Sequence, residues 1–105
     1  MMDEILCDVE KAVHYEEQRI KKLHGEKYHS LHEAYGVLKE ELYETDIELE
    51  RLNATEDGLL RAIHRDDVDT LNLAYDCIAK RAVRAACELI QVAAVCRKAM
   101  GGSMT

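Results

Sequence analysis

The sequence predicts an all-α protein, a helical bundle completed by homo-oligomerisation. Three observations predict it. The 105 residues include no proline and only five glycines, so little interrupts long helices. Apolar residues recur at three- and four-residue spacing along most of the chain. Only five residues are aromatic, all tyrosine. A core of alanine, leucine and valine gains little per residue, and a partner surface is expected to complete it. The length suits one domain, residues 1–105.

The first helix is expected over about Asp3 to Leu23, on the spacing of Ile5, Leu6, Val9, Val13, Ile20 and Leu23, with Gly25 as terminator. A polar loop, His24 to His29, follows. Ser30-Leu31-His32-Glu33 fits a capping box: the Ser30 hydroxyl accepts the Glu33 amide, and the Glu33 carboxylate reaches back to the Ser30 amide. The second helix then carries the stripe Leu31, Ala34, Tyr35, Leu38, Leu42, Thr45, Leu49 and Leu52 and ends near Asn53. Thr55 is read as the cap of a short third helix with Leu59, Leu60 and Ile63 along its edge. Asp66 or Asp67 caps a long fourth helix, closed by Gly101-Gly102, with fraying from Ser103 to Thr105. Tyr35 and Tyr75 fall on the apolar stripes and are read as core. A rod as long as the fourth helix exposes more apolar surface than two shorter helices can cover, a second reason to expect a homodimer or homotetramer.

The net charge of -7 argues against a nucleic acid polymer as the main partner, because affinity there comes from cationic side chains. The charge is uneven: residues 1–57 hold 16 acidic and 7 basic groups, a balance of -9, and residues 58–105 hold 5 and 7, a balance of +2. An acidic half can equally be a solvated face. No apolar run approaches the about 20 residues that span a membrane. The acidic start MMDEILCD lacks the pattern of a secretion signal. Cys7, Cys77, Cys87 and Cys96 form no C-x-x-C pair, so a cytoplasmic protein with reduced, buried thiols is expected.

The chemistry concentrates on two segments. In Glu40-Glu41-Leu42-Tyr43-Glu44, Glu41 and Glu44 are three apart and share a helix face. Glu41 also lies beside Leu38 and Thr45 of the apolar stripe. Glu88 sits in the run AACELIQVAAVC, three residues after Ala85 and four before Val92. A carboxylate in such surroundings must find a cation, a donor or a proton. Inward carboxylates on two helices suit a shared magnesium ion, which takes oxygen ligands in an octahedron and keeps several waters. Pairing of Glu88 with Arg81 or Arg84 of its own helix is the alternative.

The segments His29 to Ala34, Val37 to Glu44 and Glu88-Leu89-Ile90-Gln91-Val92-Ala93-Ala94, with the lead-in Tyr15 to Gln18 and Gly25 to Ser30, resemble the MazG-like nucleotide pyrophosphohydrolases. The likeness is greatest to the small, single-domain, phage-associated members, and it covers about residues 13–52 and 80–100. The family motif is E-E-x-x-E on one helix and E-x-x-D on a later one. Glu40, Glu41 and Glu44 match its first half; Glu88 matches the second, and Gln91 stands where the motif has aspartate. The resemblance implies hydrolysis of a nucleoside triphosphate to the monophosphate and pyrophosphate. Glu41, Glu44 and Glu88, with Gln91 in the fourth position, would hold Mg2+, and Glu40 would act on the attacking water. Lys22, Lys27, Arg81 and Arg84 would supply cationic help to the substrate. With Gln91, four negative groups fall to three. Either the amide still ligates the metal or one of its waters, or the chain is a catalytically impaired protein of this fold that acts as a helical interaction module.

Other candidates are His29, His32 and Glu33 as a metal trio, and Tyr28, Tyr35, Tyr43 and Tyr75 as platforms for a base. His14 and His64 read as exposed. No Gly-rich phosphate loop and no Ser/His/Asp pattern is present.

Overall fold

Helix formers fill nearly the whole chain, and each interruption has an identifiable local cause. The computed structural model describes Met2 to Ser103. Among these residues it holds three α-helices and no strand: α1 (Met2–His24), α2 (Leu31–His64) and α3 (Val68–Ser103). Met104 and Thr105, where fraying was expected, lie outside the described residues. Among the described residues no helix is long and apolar enough to cross a membrane.

α1 carries Asp3 and Glu4 in its first turn and Lys21, Lys22 and His24 in its last, each complementing the helix dipole. It stops at Gly25, whose φ of 96° only glycine adopts at no steric cost, with the Gly25 amide donating to the Lys21 carbonyl at 2.8 Å. The start of α2 is capped as expected on one side: the Glu33 amide donates to Ser30 Oγ at 3.0 Å. The return bond is displaced by one residue, because Glu33 Oε1 accepts from the His29 amide at 3.1 Å rather than from Ser30.

The expected break near Asn53 is absent. α2 runs unbroken to His64, and the segments read as a second and a third helix are one rod. Thr55 caps nothing; its hydroxyl donates to the Arg51 carbonyl one turn back at 2.9 Å, an option open to threonine inside a helix. The apolar spacing also bridges the proposed gap, with Leu52 and Leu59 half-buried and Ala62 buried. The real reversal comes at Asp66, with φ 51°. The Asp67 amide donates to the Ala62 carbonyl at 3.1 Å and the Asp66 amide to Ile63 at 3.2 Å, the two bonds of a Schellman motif. Asp67 then caps α3: its carboxylate accepts from the Thr70 amide at 3.1 Å and from the Thr70 hydroxyl at 2.7 Å. Those two bonds hold the Asp67 carboxyl below its ordinary range. Gly101-Gly102 does not end α3, which continues through Ser103.

The chain forms two compact units. The first holds α1, α2 as far as Leu42, and α3 from Glu88 onward. Its core joins Ile20 of α1 to Ala94 and Val95 of α3, with Tyr28, Val37 and Leu38 packed against them. Ala94 is fully buried, and its small side chain lets the other elements approach α3 closely. The second unit, Tyr43 to Cys87, is the hairpin of the remaining α2 and α3, with Thr45, Ala62 and Ala85 buried. Much of the predicted stripe stays in solvent. Tyr35 and Tyr75, expected in the core, are 62% and 52% exposed, and Leu31, Leu42, Leu49 and Leu89 are exposed as well. The cysteines are free thiols; contrary to expectation none is buried, Cys7 and Cys87 being exposed and Cys77 and Cys96 half-buried.

Candidate metal centre

Glu41 and Glu44 project from adjacent turns of α2 because they are three residues apart. Glu88 projects from α3. One carboxylate oxygen from each lies within 4.8 Å of the other two. Oxygens on opposite sides of an octahedral magnesium are about 4.2 Å apart, and adjacent ones about 3 Å, given Mg–O distances of about 2.1 Å. The limit of 4.8 Å is slightly wider than that span, so the three side chains would have to draw together to share one such ion. Glu41 and Glu88 are half-buried and Glu44 is exposed, so the group is open to water on one side. Among the described residues no other group of three metal-binding side chains converges, and His29, His32 and Glu33 do not.

Glu41 also lines a groove of about 570 Å³ in the first unit. Glu33, Val37 and Glu41 face it from α2, at positions i, i+4 and i+8. Gln91, Val95 and Lys98 face it from α3, at i, i+4 and i+7. Arg19, Ile20 and His24 of α1, with Tyr28 and His29 of the loop, complete the wall. Lys98 is only 3% exposed, and its ammonium lies 4.2 Å from the centre of the Tyr28 ring. Burial, followed by the negative charges of Glu33 and Glu41, raises the Tyr28 hydroxyl above its ordinary value and keeps it a neutral donor.

Behind the groove lies a carboxylate that the sequence did not single out. Glu16 of α1 is 8% exposed. Arg19 grips it with two bonds, Nε to Oε1 at 2.5 Å and Nη2 to Oε2 at 2.6 Å. The Gln91 side-chain amide donates to the same Oε2. The Arg19 bonds hold the Glu16 carboxyl below its usual range against the opposing pull of burial, with Gln91 assisting.

The expected site residues thus divide. Glu41, Glu44 and Glu88 come together. Gln91 lines the groove with its nitrogen engaged by Glu16, which leaves its carbonyl oxygen as the atom a metal or a water could use. Glu40 is exposed, one residue before Glu41. Lys22 is exposed and is not part of the groove wall. Lys27 borders a smaller groove with Ser30, Leu31 and Ala34. Arg81 and Arg84 line a groove of the second unit beside Asp76 and Lys80. The cations that do face the Glu41 groove are Arg19 and Lys98. Lys98 had a readable signal, the seven-residue spacing from Gln91 that puts both on one face; Arg19 had none beyond its distance of three from Glu16.

No family profile matches the chain, and no curated protein or solved structure is detectably similar to it.

Proposed function

We propose that the chain is a magnesium-dependent nucleotide pyrophosphohydrolase of the MazG-like type, working as a homo-oligomer in the reducing cytoplasm. The observation that supports this reading is the convergence of Glu41, Glu44 and Glu88, with one carboxylate oxygen of each within 4.8 Å of the other two. The motif E-E-x-x-E with a later glutamate supports it from the sequence side.

In this reading the three carboxylates hold the ion, and Gln91 offers its carbonyl oxygen to the ion or to one of its waters. An ion held there would supply positive charge that offsets the charge growing on the leaving group. Glu40 takes a proton from the attacking water. The water oxygen bonds to the α-phosphorus, the bond from that phosphorus to the α–β bridging oxygen breaks, and the electron pair leaves with pyrophosphate. The groove beside Glu41 receives the nucleoside. Self-association follows from the apolar side chains left in solvent, among them Leu31, Tyr35, Leu42, Leu73 and Val83. The solution mass is expected to be a multiple of 12.0 kDa, and a monomer by light scattering removes the oligomer from the proposal.

The test of the reaction is pyrophosphate release from a panel of nucleoside triphosphates with magnesium, beside Glu41→Gln. Release by the wild type and its loss in the variant are expected; equal release from both overturns the assignment. One observation favours a second reading, a non-catalytic helical interaction module: Gln91 is engaged by Glu16. Magnesium binding together with turnover rules that reading out.

A further inference from the structure

The apolar stripe of α1 outruns what covers it. Val13 and Ile20 are buried, but Met2, Ile5, Leu6 and Val9, on the same face nearer the N-terminus, are 41% to 73% exposed. These four stand at i, i+3, i+4 and i+7, the pattern by which an amphipathic helix anchors in a partner's groove. Acids border the stripe, Glu4 and Asp8 along one edge, Asp3 and Glu10 along the other. With Lys11 set against those four acids, the exposed stretch 2–11 carries a charge of -3.

The second unit holds a surface of opposite sign. Leu73, Asp76, Cys77, Lys80, Arg81 and Arg84 line a shallow trough of about 390 Å³ along one face of α3. Lys80 is paired with Asp76 at 2.9 Å, so Arg81 and Arg84 give the trough a charge of +2. Leu73, 70% exposed, and Cys77 supply apolar contact, extended by the stems of the two arginines. The lengths also match. From Leu73 to Arg84 the helix rises about 17 Å, and the exposed stretch of α1 rises about 15 Å.

Resting on the self-association in the proposed function, we propose that the N-terminal half of α1 docks in this trough on α3 of a second copy of the chain. Apolar burial supplies the affinity, and the opposed charges select and orient the occupant. A second copy is the occupant because every copy carries both surfaces. Under a two-fold axis the contact is made twice, each copy covers the other's bare stripe and trough, and the pair closes.

The test uses two charge-reversed forms of the full-length protein, altered only at exposed side chains: Asp3→Lys with Asp8→Lys on α1, and Lys80→Glu with Arg84→Glu on α3. Dimer dissociation is measured by sedimentation equilibrium at low salt, with circular dichroism to confirm helix content. Each form alone should dimerise at least about tenfold more weakly than the wild type, because like charges then face each other at both contacts. Mixed one to one, the two forms should pair with close to wild-type affinity, since acids again meet cations at both contacts. Two forms that each dimerise like the wild type overturn the inference and leave self-association standing on another face. Weakened forms that do not rescue each other on mixing also overturn it, including the case in which a chain's own α1 occupies its own trough. A wild type that stays monomeric at every concentration removes the self-association and this interface together.

Discussion

Replacing Gln91 by aspartate sets the sequence reading against the structure. By the motif alone, Gln91→Asp supplies the missing fourth carboxylate and should improve a magnesium site. In the structure Gln91 donates to Glu16, a carboxylate 8% exposed, and the substitution puts a second negative charge beside it. The lost bond to a charged acceptor is worth about 1.5–3 kcal/mol. Two carboxylates about 4 Å apart repel by about 4 kcal/mol at an effective dielectric of about 20. Arg19 remains on Glu16 and offsets part of this, and the shorter aspartate can turn aside. A net destabilisation of about 2–4 kcal/mol is expected in EDTA at pH 7. With a urea slope of about 1–3 kcal/mol per molar, the unfolding midpoint should fall by about 0.7 M or more. Magnesium should restore part of the loss, because an ion that binds only the folded state stabilises it. In the cycle with Glu16→Gln, the pairwise coupling should be about 1.5 kcal/mol or more. A Gln91→Asp protein as stable as the wild type without metal, or a coupling near zero, would refute the account of Glu16 as the partner that commits Gln91.

Three further outcomes follow from the geometry. Because the folded-state Glu16 carboxyl is held below its ordinary value, its contribution is complete above the ordinary carboxylate range of about pH 4–5 and is lost as the pH falls through the lowered value; the difference in urea midpoint between wild type and Glu16→Gln should therefore persist at pH 7 and close only below about pH 4. Asp67→Ala removes both bonds to Thr70 and should cost about 1 kcal/mol by chemical denaturation, and an unchanged midpoint would deny Asp67 its capping role. Inside a continuous α2, Thr55→Ala should leave stability unchanged or slightly higher, and Gly58→Ala, whose added methyl meets nothing within 4 Å, should raise it by about 0.5–1 kcal/mol; a loss of about 1 kcal/mol from Thr55→Ala would restore the helix start once read there.

Local chemistry was legible in the sequence wherever it acts over one turn. The absence of proline, the three- and four-residue spacing, the Ser30–Glu33 cap, the Gly25 stop and the Asp67 cap all depend on neighbours a few residues away, and they place the end of α1 and the starts of α2 and α3 to within a residue or two. The same periodicity put Glu41 and Glu44 on one face and gave Glu88 its inward register. Periodicity over-read the region around Asn53, because threonine and glycine can stay helical when nothing else ends the turn. It also misjudged burial at Tyr35 and Tyr75, since a stripe says which face is apolar and not whether anything covers it. Only the tertiary structure decided which partner each polar side chain takes. Gln91 meets Glu16 across 75 residues of chain, and Lys98 meets Tyr28 and the Glu41 groove, through contacts that no spacing in one helix encodes. The reason is physical: a helix sets the direction of a side chain by backbone geometry alone, whereas its partner depends on how separate rods pack.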